Sequence, residues 1–192
     1  MISKNLSCFV AEQKVYNFPF VPRSEWSHRP PAATSEPLAI PVPYVVIHHT
    51  YVPGACNTTE QCSGHMRAMQ NEHMLGQGWF DIGYNFCVGG DGAAYEGRGW
   101  AARGVHAGRG NALSLGICLI GDWSGELPPT QQLETTKALI AAAVELGVVS
   151  EDHRLVGHRQ MTDSDCPGDA LFEEIMSWKN FSPIPAGPED PL

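Results

Sequence analysis

The chain has 192 residues, of which 43% are hydrophobic, and no long break in composition interrupts it. A chain of this length buries one ample core, so we expect a single globular domain. The formal net charge is −9, and without a basic run such a chain repels nucleic-acid phosphates. Composition therefore argues against a nucleic-acid partner, and no apolar stretch reaches the ~18 residues of a membrane span.

The two ends of the sequence differ from its centre. Residues 1–20 lack the apolar core and the small-residue cleavage site of a signal peptide, and we expect a flexible segment there. Residues 182–192 hold four prolines, which predicts a disordered tail. The domain is therefore expected to span residues 21–181, and the sequence leaves both a secreted and an intracellular form open.

The first predicted elements are a strand and a helix. Residues 29–43 are too rich in proline for a helix, and residues 44–50 (YVVIHHT) predict a buried strand. A capping box from Thr58 to Gln61 predicts the start of a helix that ends near residues 76–78.

Strands and helices then continue to alternate. Turn residues and apolar periodicity predict a hairpin in residues 81–100, a central strand at 113–121, a long helix at 128–147, a short strand at 153–159 and a last helix at 168–178. This order predicts an α/β fold, a single domain with a central mixed β-sheet flanked by about three helices.

Two adjacent histidines, His48 and His49, end the first buried strand. Successive strand side chains point to opposite faces, so at most one of them can bind an ion held on one side of the sheet. Further along, His158 is followed eight residues later by Cys166. Two imidazoles and one thiolate suit a zinc ion with an open position. A histidine and a cysteine on one loop are more often unrelated, so these residues alone leave a metal site and ordinary polar residues both open.

The cysteine pair Cys56 and Cys62 brackets a short polar segment. This spacing suits one local disulfide, and two unpaired thiols are the alternative. A disulfide would favour an oxidising compartment, so we favour a secreted protein. Cys87 and Cys118 fall in predicted strands and are expected to be buried apolar side chains.

An ordered set of motifs covers residues 21–181. It comprises PRSEW, VVIHHT, MRAMQNEHM, GWFDIGYNFCVGGDGAAYEGRGW, GVHAG, LGICLIGDW and LVGHRQMTDSDCPG. Together these motifs resemble animal peptidoglycan recognition proteins, in particular their amidase-active branch, which is related to phage lysozymes of the amidase type.

The resemblance implies both a fold and a reaction. In the amidase-active branch, zinc activates a water that cleaves the amide between the lactyl group of N-acetylmuramic acid and L-alanine. The implied partners are bacterial peptidoglycan and muropeptides, and the implied role is in innate immunity, where the enzyme scavenges fragments and damps signalling. The alternative is a peptidoglycan-binding receptor without turnover. We expect a monomer.

The resemblance also implies roles for single residues. His48, His158 and Cys166 would bind Zn²⁺, and Tyr84 would assist catalysis. Ser164 stands at a catalytic position where phage relatives have lysine and animal enzymes usually have threonine. Many non-catalytic members lack the cysteine, so Cys166 separates enzyme from receptor. A purely structural zinc would need a fourth protein ligand, and no side chain stands out for it.

A further group of residues is expected to contact substrate. By the same resemblance it comprises His49, Thr50, Arg98, Gly99, Trp100 and His106. The Gly99–Trp100 pair resembles members that prefer peptidoglycan of the diaminopimelic-acid type, although the arginine that often accompanies it is absent from the following strand. Gly99 would let a carboxylate approach the backbone, and Trp100 would form an apolar wall.

Overall fold

The structure, a computed structural model, describes residues 16–184. The predictions made for residues 1–15 and 185–192 lie outside the described residues. Residues 16–20 are folded, since Phe18 is buried in the apolar core. The backbone N–H of Ser182 donates to the carbonyl of Leu155 at 2.9 Å, so the chain is still held to the sheet at this position.

Six strands form one sheet within the described residues: β1 (Phe20–Val21), β2 (Val42–His49), β3 (Phe86–Val88), β4 (Ala94–Glu96), β5 (Ser114–Leu119) and β6 (Val149–Gly157). Their order across the sheet is β1-β4-β3-β5-β2-β6. Neighbouring strands are parallel except β3 and β4, which form the predicted antiparallel hairpin. The mixed sheet is therefore confirmed.

Four α-helices accompany the sheet in residues 16–184: α1 (Arg23–Trp26), α2 (Thr59–Asn71), α3 (Thr130–Glu145) and α4 (Asp169–Ile175). Helix α2 begins as predicted, because the Thr58 side chain accepts from the backbone N–H of Gln61 at 3.3 Å. The Gln61 side chain accepts instead from the N–H of Asn57, at 3.1 Å, so the reciprocal bond of a capping box is displaced by one residue. A π-helical turn, Glu72–Gly76, continues α2.

Several element boundaries differ from the sequence prediction, among them those of β6 and α4. Strand β6 begins at Val149, four residues before the predicted start, because Val149 pairs with Val42 across an irregular register. Helix α4 ends at Ile175, three residues before the predicted end. Helix α1 was not predicted. Among residues 16–184 no helix has the length and apolarity that crossing a membrane requires.

Side-chain alternation divides the core into two layers. Leu115, Ile117 and Leu119 of β5 pack with buried residues of α3 and α4. Cys118 and the following Ile120 pack on the other face with buried residues of α2. We call these the α3–α4 face and the α2 face of the sheet.

The same alternation orients the end of β2. Val45 and Ile47 belong to the α3–α4 face, so His49 points to that face and His48 points to the α2 face. The sheet therefore separates the two adjacent histidines, as the sequence predicted.

Candidate metal centre

Strand pairing brings His48 and His158 side by side. Ile47 of β2 and Gly157 of β6 are register partners in two parallel strands. His48 follows Ile47 and His158 follows Gly157, and the centroids of the two imidazole rings lie 4.4 Å apart. Both histidines stand where their strands end, at one edge of the sheet.

The loop before α4 carries Cys166 to the same edge. Its sulfur lies 3.8 Å from Nδ1 of His48 and accepts from the backbone N–H of His49 at 3.4 Å. The loop turns back at Gly168, where φ is +90° and a Cβ atom would lie 2.5 Å from the backbone of Trp123. Only glycine fits this close approach.

The ligand atoms of His48, His158 and Cys166 all lie within 4.8 Å of one another. Two imidazole nitrogens and one sulfur form a donor set that zinc accepts with a fourth position left open. Within residues 16–184 no fourth histidine, cysteine or carboxylate joins this group. The arrangement thus fits a reactive zinc site better than a closed structural one.

Burial sets the protonation of the three donors. Desolvation, followed by the nearby His106 and His158 imidazoles, lowers the pKa of His48 well below its usual value. Desolvation also lowers the pKa of His158. Both rings are therefore neutral at neutral pH, the form that binds metal. Burial raises the pKa of the Cys166 thiol to about 12, so a metal ion must displace a proton from this sulfur.

Tyr84 lies beside His48, His158 and Cys166, the three candidate metal ligands that we call the donor group. Its ring centroid lies 5.2 Å from that of His48. Desolvation raises the pKa of the phenol well above its usual value, so the hydroxyl stays protonated at neutral pH. Tyr84 thus carries a protonated hydroxyl next to the candidate metal ligands.

An aromatic row that sequence reasoning did not assign to the site extends from Tyr84. The ring of His73 lies 5.7 Å from Tyr84 and 4.7 Å from Trp79. Nδ1 of His73 accepts from the backbone N–H of Gly83 at 3.0 Å, which fixes the ring. The sequence held one signal for the part of this row formed by Trp79, which stands five residues before Tyr84 in the same motif.

The hydroxyl residues near Cys166 support the ligands. Thr162 Oγ1 lies 3.0 Å from Nε2 of His158 and orients that ring, a contact that sequence reasoning missed. Ser164 Oγ accepts from the backbone N–H of Cys166 at 3.1 Å and so shapes the loop. The catalytic role predicted for Ser164 stays a prediction.

His49 and Thr50 have structural contacts at this edge. Nδ1 of His49 accepts from the backbone N–H of Trp123 at 3.2 Å on the α3–α4 face, the face opposite to the His48 side chain. Thr50 Oγ1 donates to the carbonyl of Pro53 at 2.6 Å and accepts from the N–H of Gly121 at 2.7 Å. Their substrate contacts stay predictions.

The predicted specificity residues Arg98, Gly99 and Trp100 follow strand β4. The Trp100 ring packs 4.1 Å from that of Phe86, which belongs to the α3–α4 face, whereas His48 points to the α2 face. Gly99 has a φ of +73°, a backbone conformation that favours glycine, and its predicted contact with a carboxylate stays a prediction. Arg98 donates to the carbonyl of Ile82 at 2.6 Å and lines a separate cavity of about 540 Å³. The structure does not place the Trp100 indole on the side of the metal ligands.

Comparison with known proteins decides the family. Residues 38–169 match the family model described as N-acetylmuramoyl-L-alanine amidase. The chain belongs to this amidase family. It is 49% identical over 162 residues to peptidoglycan-recognition protein LB of Drosophila melanogaster, covering 84% of this chain and 69% of that protein.

Two further likenesses agree with this family. The N-acetylmuramoyl-L-alanine amidase of Sus scrofa is 43% identical over 163 residues, but the chain spans only 27% of that protein. A solved structure of PGRP-LE in complex with tracheal cytotoxin, a monomeric diaminopimelic acid-type peptidoglycan, is 42% identical with a TM-score of 0.83, covering 85% of this chain and 95% of that one. The resemblance to peptidoglycan recognition proteins and the expected fold are thus confirmed.

Proposed function

We propose that this protein is a zinc-dependent amidase that hydrolyses the bond between the lactyl group of N-acetylmuramic acid and L-alanine in bacterial peptidoglycan. The main support is that the ligand atoms of His48, His158 and Cys166 lie within 4.8 Å of one another, with the Tyr84 ring beside His48. Family membership supports the substrate class. The open three-donor set supports turnover over recognition alone.

The proposed chemistry divides between the ion and the chain. A zinc ion held by His48, His158 and Cys166 would act as a Lewis acid on the scissile carbonyl and would lower the pKa of a bound water towards about 7. Water adds to the carbonyl carbon, the C–N bond breaks, and the products are a lactyl carboxylate and the amine of L-alanine. The leaving nitrogen must gain a proton, which Tyr84 or solvent can deliver.

Tyr84 has a second proposed task. Negative charge develops on the carbonyl oxygen during attack, and a fixed donor in a desolvated site stabilises that charge strongly. The protonated phenol beside His48 supports this role. His48, His158 and Cys166 would hold the ion, and Thr162 contacts the His158 ring.

We further propose that peptidoglycan of the diaminopimelic-acid type is preferred. Support comes from the PGRP-LE structure, whose bound ligand is of that type. Trp100 lends no support as a groove wall, since its indole packs on the α3–α4 face. The Cys56–Cys62 disulfide supports work in an oxidising compartment outside the cell. Cleavage there would separate peptide from sugar and so clear fragments that act as signals.

One experiment tests both proposals. Purified protein is incubated with muropeptides that differ only in diaminopimelic acid or lysine, with and without a chelator, and released peptide is measured by mass spectrometry. We expect zinc-dependent release, faster from the diaminopimelic-acid substrate. Absence of release with zinc present would overturn the amidase proposal in favour of a binding protein. Equal or reversed rates would overturn the preference.

A further inference from the structure

A buried histidine outside the donor group makes direct contact with it. Nδ1 of His106 lies 3.0 Å from Nε2 of His48. The two rings meet edge to face, at 89° and with centroids 5.0 Å apart. His106 is only 8% exposed and His48 only 1%, so solvent has little access to this contact.

The contact between the two rings determines which nitrogen of His48 and of His106 carries the proton. Nδ1 of His48 is the nitrogen nearest Cys166, so this atom would donate its lone pair to a metal ion. A neutral His48 then carries its proton on Nε2 and donates it to Nδ1 of His106. His106 must in turn be protonated on Nε2. Among the described residues that Nε2 is buried without a hydrogen-bond partner, so the ring keeps its contact with His48 at the cost of an unpaired group.

The fold holds the His106 ring in this orientation. A Cβ atom on Gly104 would lie 2.4 Å from the ring, and one on Gly116 would lie 2.5 Å from it. The ring thus occupies space that only glycine leaves free on two sides. Asn111 Oδ1 accepts from the backbone N–H groups of His106 and Ala107, at 2.8 and 2.7 Å, and fixes the main chain.

We infer that His106 is a positioning residue that holds His48 in the tautomer and ring orientation needed to bind metal through Nδ1. This role differs from the substrate contact implied by resemblance, and it rests on the proposed function only in taking zinc as the ion. Outer partners that orient a ligating histidine commonly change metal affinity by about 10–100-fold when they are removed.

Two substitutions separate the proposed contact from simple loss of a buried ring. His106→Leu removes the acceptor and keeps a bulky side chain, whereas His106→Asn can place Oδ1 near the position of Nδ1. Zinc affinity is measured by competition with a chromogenic chelator. We expect His106→Leu to bind zinc about 10–100-fold more weakly than the wild type, and His106→Asn to remain within a few-fold of it.

His153→Leu is the matched control. His153 is also buried, at 6% exposure, but its Nδ1 contacts the carbonyl of Ser150 rather than a donor residue. We expect its zinc affinity to equal that of the wild type. Wild-type affinity in His106→Leu, or equal losses in the Leu and Asn variants, would overturn the inference.

A measurement on the unmodified protein covers the case in which His106→Leu does not fold. Long-range ¹H–¹⁵N spectra of the zinc-loaded wild type report the tautomer of each histidine. Protons on Nε2 of both His48 and His106 would support the inference, and a proton on Nδ1 of His106 would overturn it. Wild-type protein that binds zinc but releases no peptide would overturn the amidase proposal alone.

Discussion

Cys166 is the residue that best separates an enzyme from a binding protein. Cys166→Ser replaces a soft zinc ligand with a hydroxyl that keeps its proton at pH 7, at almost unchanged size. We expect peptide release to fall by several orders of magnitude, while muropeptide affinity, measured by calorimetry, changes far less. The control is Cys87→Ala, a buried cysteine of β3 outside the donor group. Near-normal turnover in Cys166→Ser would rule out the metal assignment.

His73 makes the free energy of unfolding depend on pH. Burial lowers its pKa in the folded protein to about 4, against an ordinary value of 6.5. Between these values the unfolded chain binds the proton more readily, so the stabilisation present above pH 6.5 is lost as the pH falls towards 4.

His73→Asn tests this dependence, since an amide oxygen can still accept from Gly83 but does not titrate. We expect the wild type to lose on the order of 2 kcal/mol more than the variant between pH 7 and pH 4.5, with partial solvent screening allowed for. Urea unfolding of both proteins at each pH gives the difference. A difference that does not change with pH would contradict the assignment.

Single residues also show which features of the candidate site could be predicted from the sequence. The sequence alone predicted that His48 and His49 point to opposite faces of the sheet, because the strand backbone makes successive side chains alternate between the two faces. The sequence alone left the pairing of His48 with Cys166 open, because 118 positions separate them and only the resemblance joined them. The core contact of Trp100 with Phe86 was not foreseen, because an apolar side chain after a strand suits a groove wall and a core contact equally.

At the scale of elements, the Cys56–Cys62 disulfide ties the loop after β2 to the first turn of α2. The loop it closes is short, so the chain-entropy relation gives a stabilisation of about 2 kcal/mol. We expect the paired variant Cys56→Ala, Cys62→Ala to lose about this free energy of unfolding in denaturant titrations. Thiol labelling of the oxidised wild type after denaturation should leave both residues unlabelled. Labelling of both, or unchanged stability, would contradict this contribution.

The differences in element boundaries have local causes. Helix α1 has four residues, too few to produce a helical period in the sequence. Strand β6 includes Ser150, Glu151 and Asp152, and a polar stretch of this kind resembles a loop although it lies in an edge strand. The long helix α3 and the hairpin were predictable because their periodicity and turn residues are local.

For the whole molecule, zinc should act as a stabilising ligand. Its candidate ligands are His48 in β2, His158 directly after β6 and Cys166 in the loop before α4, so a bound ion would link segments that are distant in sequence. At a free zinc concentration 100 times Kd, linkage gives about 2.7 kcal/mol of added stability. We expect chelator to lower the Tm of the wild type in calorimetry and to leave that of Cys166→Ser unchanged. Equal shifts in the two proteins would show that the chelator acts elsewhere.

The position of β6 at the edge of the sheet, beside β2, limits when the metal site can form. Parallel pairing between strands about a hundred residues apart is a slow kind of contact, because a long loop must close before any stabilising contact is made. Before β6 pairs with β2, His48 is not yet close to His158, the candidate ligand that follows β6. For the zinc site proposed above, we therefore expect metal binding to follow the docking of β6, and the rate of zinc uptake during refolding measures when β6 docks.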